Sequence, residues 1–206
     1  MPRVVDHEER RQQIVFALWL VIAQHGIEGV SLRHVAAEAG VSMGRIQHYF
    51  GTKESLVLAG CTALVQSAYG GYLETADAAP RDRLLHVVSQ QIPQDDGGRM
   101  GVSVWYAYVA KSINHAAVRQ VLAEARRGAE EECVRLIRAA REASGGGAGL
   151  AGPEQTAPEQ AAPEQAALAK ARRLLALADG LTLRVLVRDL EPAEAVAMLE
   201  AEVDLV

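Results

Sequence analysis

Several side chains between residues 42 and 53 can form hydrogen bonds to nucleic acid, and they lie outside the apolar stripe of a short predicted helix. The Arg45 guanidinium matches the O6/N7 edge of guanine. The Gln47 carboxamide could read adenine or bond a phosphate. The chemistry expected here is recognition of bases and phosphates.

Such side chains need a rigid element to present them, and residues 31–50 predict two short helices joined by a turn. Gly40 suits the reversal, because a residue without a Cβ adopts left-handed backbone at low cost. Ser42 then provides an N-cap oxygen for the second helix. The apolar stripe of the pair is Val35, Ala36, Ala39, Ile46 and Tyr49. The side chains left facing outward are Met43, Gly44, Arg45, Gln47 and His48.

The residues around this pair carry a more specific pattern, Val-Ser-x-Gly-x-Ile-x-x-Tyr-Phe-x-x-Lys-x-x-Leu, from Val41 to Leu56. Together with Ile14, Ala17 and His25-Gly26, it makes residues 10–56 resemble the N-terminal domain of the TetR family of bacterial transcriptional regulators. Beyond Leu56, only the helical plan and the C-terminal stretch look similar to that family.

The resemblance implies roles for individual residues. Ser42, His48 and Tyr49 match the family's phosphate-contacting positions, although the Tyr49 ring could also pack in the core with only its hydroxyl reaching DNA. Gly44 allows close approach to the groove. Lys53, at the start of the next helix, can meet a phosphate together with free backbone N–H groups. Many members have an aromatic residue at the position of Gln47, so this departure indicates a different operator.

The composition predicts an all-α fold of about nine helices. Runs of β-branched and aromatic residues with a period of two are absent, and Ala, Leu, Glu and Arg dominate. We expect a helix-turn-helix DNA-binding domain at 8–56 (the motif at 31–50) and a helical regulatory and dimerisation domain at 57–206. The net charge of −5 is divided unevenly. Residues 1–53 carry six Lys/Arg against five Asp/Glu, whereas the remainder carries fifteen against twenty-one.

Catalytic and metal-binding motifs are missing from the sequence. It has no nucleophile elbow, phosphate loop, His-Glu-x-x-His or Cys-x-x-Cys, so we expect neither an enzyme nor a cofactor or metal. Cys61 and Cys133 are expected to be buried thiols rather than a disulfide or a redox switch. Without a signal peptide, and with the apolar stretch 14–23 too short to span a bilayer, the protein is expected to be cytoplasmic.

The first helix, about 8–24, has an inward face of Ile14, Ala17, Leu18, Val21 and Ile22. Phe16 and Leu20 lie on a different face. We favour their packing under the next domain, and the alternative is an exposed apolar patch that contacts a partner subunit.

The middle of the chain is predicted as further helices. The fourth runs from Lys53 to about Ala78, with Gly70-Gly71 producing a bend or a close approach. A flexible Gly/Pro-Glu-Gln loop is expected at about 144–166, because a proline every five residues prevents a helix. The eighth helix should therefore begin near Glu164.

The last two helices carry apolar stripes that either pack on their own domain or form a dimer interface. The stripes are Leu174, Ala178, Leu181 and Val185 on one helix and Val196, Leu199 and Val203 on the other. The resemblance favours a homodimer, in which these helices pair with their symmetry mates and Ala178 and Gly180 allow close approach.

The chain has only nine aromatic residues, and five of them form two clusters after the first domain. These clusters could be ordinary core, or they could line a cavity for a small apolar or aromatic effector. The candidate ligand-binding residues are Gln66, Tyr69, Tyr72, His86, Trp105 and Tyr108. The resemblance implies a homodimeric repressor that releases a palindromic operator when a small molecule binds. An architectural DNA-binding protein without a ligand response is the alternative, and no residue separates repressor from activator.

Overall fold

The computed structural model describes the backbone of residues 3–145 and 157–206, and the side chains of 7–145 and 163–206. Nine α-helices and no strand occur in this part of the chain, which confirms the predicted all-α class. The helices are α1 (Arg3–His25), α2 (Leu32–Glu38), α3 (Met43–Phe50), α4 (Lys53–Leu73), α5 (Pro80–Ser89), α6 (Asp96–Ser112), α7 (Ala116–Ala143), α8 (Ala157–Leu186) and α9 (Pro192–Val203).

The first compact unit comprises Met1–Ser67 and Arg99–Ala123. Its core is built on the predicted inward face of α1, whose members are all buried. Val35 and Ile46 join them from α2 and α3, and Val104 and Tyr108 join them from α6. The motif at 31–50 is therefore held by a core to which a distant stretch of the chain also contributes.

The second compact unit comprises Ala68–Gly98 and Glu124–Val206. In it, α9 packs against α5 and α8. Its core includes Leu84 and Val88 of α5, Leu136 and Ile137 of α7, and the inner faces of α8 and α9. At its surface Arg81 donates hydrogen bonds to Asp204 and Glu200, which ties the start of α5 to the C-terminal end of α9.

Local capping signals in the first unit form as the sequence predicts. The Oγ of Ser31 accepts a hydrogen bond from the His34 N–H at 3.1 Å, and Thr52 Oγ1 accepts one from the Ser55 N–H at 3.1 Å. Gly26, just after α1, has φ +71°. The two hydrogen bonds satisfy backbone N–H groups at the starts of α2 and α4, and the left-handed backbone of Gly26 permits the turn that ends α1.

Helix α8 begins earlier than the proline spacing predicts, at Ala157 rather than near Glu164. Pro158 lies in the first turn, where its missing N–H costs no hydrogen bond. Pro163 lies inside the helix, where a proline costs ~3 kcal/mol, and the flanking Ala, Glu and Gln residues favour the helix and offset part of that cost. The predicted loop is therefore wrong from 157 onwards, and its residues 146–156 lie outside the described residues.

Helix α4 ends at Leu73, before the predicted Ala78. A Cβ placed on Gly70 or Gly71 would meet nothing within 4 Å, so the predicted close approach at this pair is wrong. Among the described helices, α4 alone has the length and composition of a membrane span, with a mean hydropathy of 1.3. Its Leu56, Val57 and Cys61 are core residues of the first unit.

Both cysteines are free and buried, as predicted. Burial raises the pKa of Cys61 to about 11 and that of Cys133 to about 12. Because the thiolate is the reactive form, neither thiol is suited to redox chemistry at neutral pH.

Candidate nucleic-acid interface

Helices α2 and α3 form the predicted pair, joined through Gly40 with φ +63°. The N–H of Val41 reaches back to the carbonyl of Ala36 at 3.0 Å, which closes the C-terminal end of α2. Ser42 caps α3, since its Oγ accepts the Arg45 N–H at 3.2 Å. The turn and the cap together fix the direction in which α3 leaves α2.

Helix α3 buries one face and exposes the other. Ile46 and Phe50 are buried in the core of the first unit. The predicted outward residues are all exposed, namely Met43, Gly44, Arg45, Gln47 and His48. A Cβ on Gly44 would meet nothing within 4 Å, so the space beside it is open. This arrangement leaves a polar helix face free to enter a groove.

Tyr49 lies at the edge of that face, and both roles considered for it are compatible with its half-buried position. Its ring contacts the His48 ring at 5.6 Å and the His7 ring of α1 at 4.6 Å between centroids. The aromatic contacts hold the tyrosine ring in place, as buried or half-buried aromatic pairs do.

A surface pocket of about 410 Å³ opens beside α3. Its lining is Arg10, Ser42, Arg45, His48 and Tyr49. Neither Arg10 nor Arg45 forms an ion pair with a carboxylate among the described side chains, 7–145 and 163–206. Arg10 is not among the DNA contacts that the sequence predicts. Its sequence signal is the basic pair Arg10-Arg11 in α1, and no residue spacing connects that pair with α3.

Gly44, Gln47 and Lys53 are not among the residues that line this pocket. Lys53 is the first residue of α4 and is half-buried, and Gln47 is exposed on α3. Of the seven DNA contacts predicted from sequence, the pocket brings together Ser42, Arg45, His48 and Tyr49.

The predicted ligand residues of the second unit are Tyr69, Tyr72 and His86. Tyr72 is buried, and its hydroxyl lies in a network with Glu132, Arg83 and Arg135. The Arg83 guanidinium lies 4.8 Å from the Tyr72 ring centroid. Tyr69 contacts Tyr72 at 6.2 Å and is 61% exposed. The buried Nε2 of His86 has no hydrogen-bond partner among the described residues.

The other three predicted ligand residues belong to the first unit, where Gln66 is exposed and Trp105 is half-buried. Tyr108 is fully buried in the core around α1, and its role in lining a ligand cavity stays a prediction. Its hydroxyl faces Gly60, where a Cβ would lie 2.6 Å from it. The Trp19 Nε1–H donates to the Gly60 carbonyl at 3.1 Å, so α1, α4 and α6 meet at this glycine.

The predicted dimer stripes face the chain's own core. Six of the seven residues are buried within the second unit, and Val196 packs against them. The buried residues are therefore unavailable to a partner subunit. Their helical spacing identified the face of α8 and α9 that packs within the chain. The exposed apolar residues on or beside these helices are Leu183 of α8, Val187 just after α8, and Met198 of α9. Gly180 has open space around its Cα, whereas Ala178 is buried, and the close approach of a symmetry mate at these small residues stays a prediction.

On α1, Phe16 is 50% exposed and Leu20 is half-buried. Phe16 therefore lies outside the core of the first unit, and the contact of an exposed apolar patch with a partner subunit stays a prediction.

A short, capped helix with an exposed polar face, presented by a glycine turn, defines a helix-turn-helix protein. Residues 17–59 match the family model described as bacterial regulatory proteins of the tetR family. Residues 80–206 match the model of the BetI-type transcriptional repressor C-terminal domain. The chain belongs to the TetR family of transcriptional regulators, with a C-terminal part of the BetI type.

Individual relatives agree with this assignment. The chain is 37% identical over 113 residues to the HTH-type transcriptional regulator PksA of Bacillus subtilis, covering 53% of this chain and 55% of that protein. It is 31% identical over 124 residues to the regulator BetI of Paraburkholderia phymatum, covering 59% and 63%. The matches thus span between half and two thirds of these curated relatives. A solved regulator of Saccharomonospora viridis in complex with choline shares the fold, with a TM-score of 0.77, 24% identity and 96% coverage of each chain.

Proposed function

We propose that the protein is a homodimeric repressor that binds a palindromic operator through α3 and releases it when a small molecule binds. The observation that carries this proposal is the outer face of α3, which is exposed, rich in hydrogen-bonding groups and free of described ion pairs at Arg45. A helix of this kind fits the major groove, and the family relationship supports the same use.

In this proposal the contacts divide by chemistry. Arg45 reads guanine, and Gln47 reads adenine or holds a phosphate. Ser42, His48, Tyr49 and Lys53 position the helix through phosphates, and Gly44 allows close approach to the groove. The proposed DNA-binding domain remains 8–56 and the regulatory domain 57–206, with part of the compact core around α3 supplied by α6.

Selection of bound duplexes from a random-sequence library tests sequence-specific binding. We expect an enriched inverted repeat whose half-sites are separated by one helical turn or a simple multiple of it. An architectural protein would instead retain fragments without enrichment. That result would contradict the regulator proposal.

We further propose that the second copy packs on the outer faces of α8 and α9. Leu183 in the last turn of α8 and Val187 just after the end of α8 are 49% and 65% exposed, with the open Gly180 one turn before Leu183. Met198 is exposed on α9. A row of apolar side chains beside a glycine favours helix packing with a symmetry mate, and two half-sites give far more discrimination than one.

Charged substitutions on this row should separate the two protomers. We expect Leu183→Glu/Val187→Glu to shift the protein from dimer to monomer in light scattering, because like charges would face one another across the twofold axis. Ile113→Glu is the matched control, since Ile113 is 72% exposed and lies after α6 in the first unit. A doubly substituted protein that remained dimeric would place the interface elsewhere.

For the effector we propose a small apolar or aromatic molecule that contacts Tyr69, Tyr72 and His86. Four buried polar atoms of the second unit lack partners among the described residues: Arg83 Nε, His86 Nε2, Gln91 Oε1 and Thr182 Oγ1. Each such atom costs ~1–3 kcal/mol unless a ligand or water bonds it. They are the polar groups that an effector in this unit would satisfy.

Thermal unfolding with a panel of compounds tests the effector proposal. The panel should contain aromatic acids and also choline, the ligand of the Saccharomonospora viridis neighbour. A binding compound at 100 times its Kd should stabilise the protein by ~2.7 kcal/mol. Tyr69→Ala should reduce that shift, whereas Ser103→Ala, at an exposed serine of α6, should not. A shift unaffected by Tyr69→Ala would exclude this residue from the site.

A further inference from the structure

Two contacts with aromatic rings of α3 join the N-terminal part of α1 to that helix. The His7 ring lies 4.6 Å from the Tyr49 ring, and the Arg11 guanidinium lies 4.7 Å from the Phe50 ring. Residues three and four apart are neighbours on a helix surface, so Arg10 and Arg11 both lie next to His7. These contacts fix the position of Arg10 relative to α3.

The two neighbouring arginines are used differently. Arg11 places its guanidinium over Phe50, a contact that occupies its planar face. Arg10 donates to the neutral Gln13 Oε1 at 2.8 Å and lines the pocket beside Arg45 and His48. The amide orients the guanidinium without neutralising it.

The pocket therefore gathers donors from two helices around one space. Arg10 comes from α1, whereas Ser42, Arg45, His48 and Tyr49 come from α3 and its cap. Two guanidinium groups brought together repel each other, and an anion between them removes that repulsion. A phosphodiester has the charge and the acceptor oxygens that guanidinium and hydroxyl donors bind.

We infer that Arg10 is a DNA phosphate ligand, and that α1 and α3 together form one backbone-binding pocket in each protomer. This inference rests on the proposed function. It adds to the predicted contacts a residue outside the helix-turn-helix, held in position by His7 and Arg11. Because a phosphate contact carries no sequence information, Arg10 contributes affinity and register rather than base choice.

The salt dependence of binding to a random-sequence duplex tests this inference without knowledge of the operator. Fluorescence anisotropy with a duplex of about 30 base pairs accommodates two half-sites. Loss of one phosphate contact lowers the slope of log K against log salt by ~0.9 per protomer. We expect that decrease for Arg10→Gln, which retains a helix-favouring side chain, and recovery of most of the slope for Arg10→Lys.

Arg173→Gln is the control, since it makes the same change in net charge at an exposed position of α8 in the second unit. An Arg10→Gln slope equal to that of the wild-type protein would overturn the inference and leave the proposed function intact. An equal decrease in both variants would also overturn it, because the effect would then come from net charge. A wild-type protein that failed to bind any duplex would instead contradict the proposed function.

Discussion

Arg45→Ala is expected to abolish selective binding to the enriched operator while leaving the dimer intact. A bidentate arginine–guanine contact discriminates by ~1–3 kcal/mol, so two half-sites together lose ~2–6 kcal/mol. That loss corresponds to roughly 30-fold to 10⁴-fold weaker operator binding, since each 1.4 kcal/mol is tenfold. Competition between the operator and a scrambled duplex, measured by anisotropy, gives the specificity ratio directly.

Arg33→Ala is a matched control on the neighbouring helix α2, where the arginine is also exposed. It removes the same charge without changing the outward face of α3, so selectivity should persist. If Arg45→Ala retained the wild-type footprint, the assignment of Arg45 to base reading would be refuted. Light scattering on both variants should give the wild-type mass, because neither residue lies on the proposed dimer face.

Gly60→Ala is expected to destabilise the DNA-binding unit, although alanine is the better helix former. The new Cβ would lie 2.5 Å from Leu18 Cδ2 and 2.6 Å from the Tyr108 hydroxyl. Overpacking of this kind costs ~1–3 kcal/mol. The gain in helix propensity returns ~1 kcal/mol at most. Chemical denaturation should therefore show a net loss of free energy of unfolding.

Gly70→Ala provides a control in the same helix, because its Cβ would meet nothing within 4 Å. We expect that variant to gain ~0.5–1 kcal/mol from propensity alone. If both substitutions stabilised α4 equally, the close contact at Gly60 would be disproved.

Tyr108→Phe tests the same contact from the other side. The Tyr108 hydroxyl is buried without a hydrogen-bond partner among the described residues, and burial raises the pKa of this tyrosine, so it stays neutral at physiological pH. Removing an unsatisfied buried hydroxyl should stabilise the protein by ~1 kcal/mol. In the double variant, Tyr108→Phe should recover part of the loss caused by Gly60→Ala, because the oxygen closest to the new methyl from α6 is gone. Additive effects would show that the two residues do not interact.

The sequence determined the helix-turn-helix because each of its signals is local. A cap such as Ser42 bonds an N–H three residues away, and Gly40 adopts the left-handed backbone that its own missing Cβ permits. The period of the apolar residues likewise fixed which face of α1 and α3 is buried. These signals needed no knowledge of the rest of the chain.

Only the tertiary structure decided what covers each apolar face and which distant side chains meet. The spacing of Leu174, Ala178 and Leu181 marks a buried stripe equally well whether its cover is α5 and α9 or a second subunit. Tyr108 enters the core around α1, and Arg10 joins the pocket beside α3, through contacts between residues about 35 to 95 positions apart. The proline spacing also misled at Pro163, which lies in the interior of a continuous helix of 30 residues. The helical period determines the direction in which a side chain points from the axis of its helix. Which residues surround that side chain depends on how separate helices pack, and no short stretch of sequence contains that information.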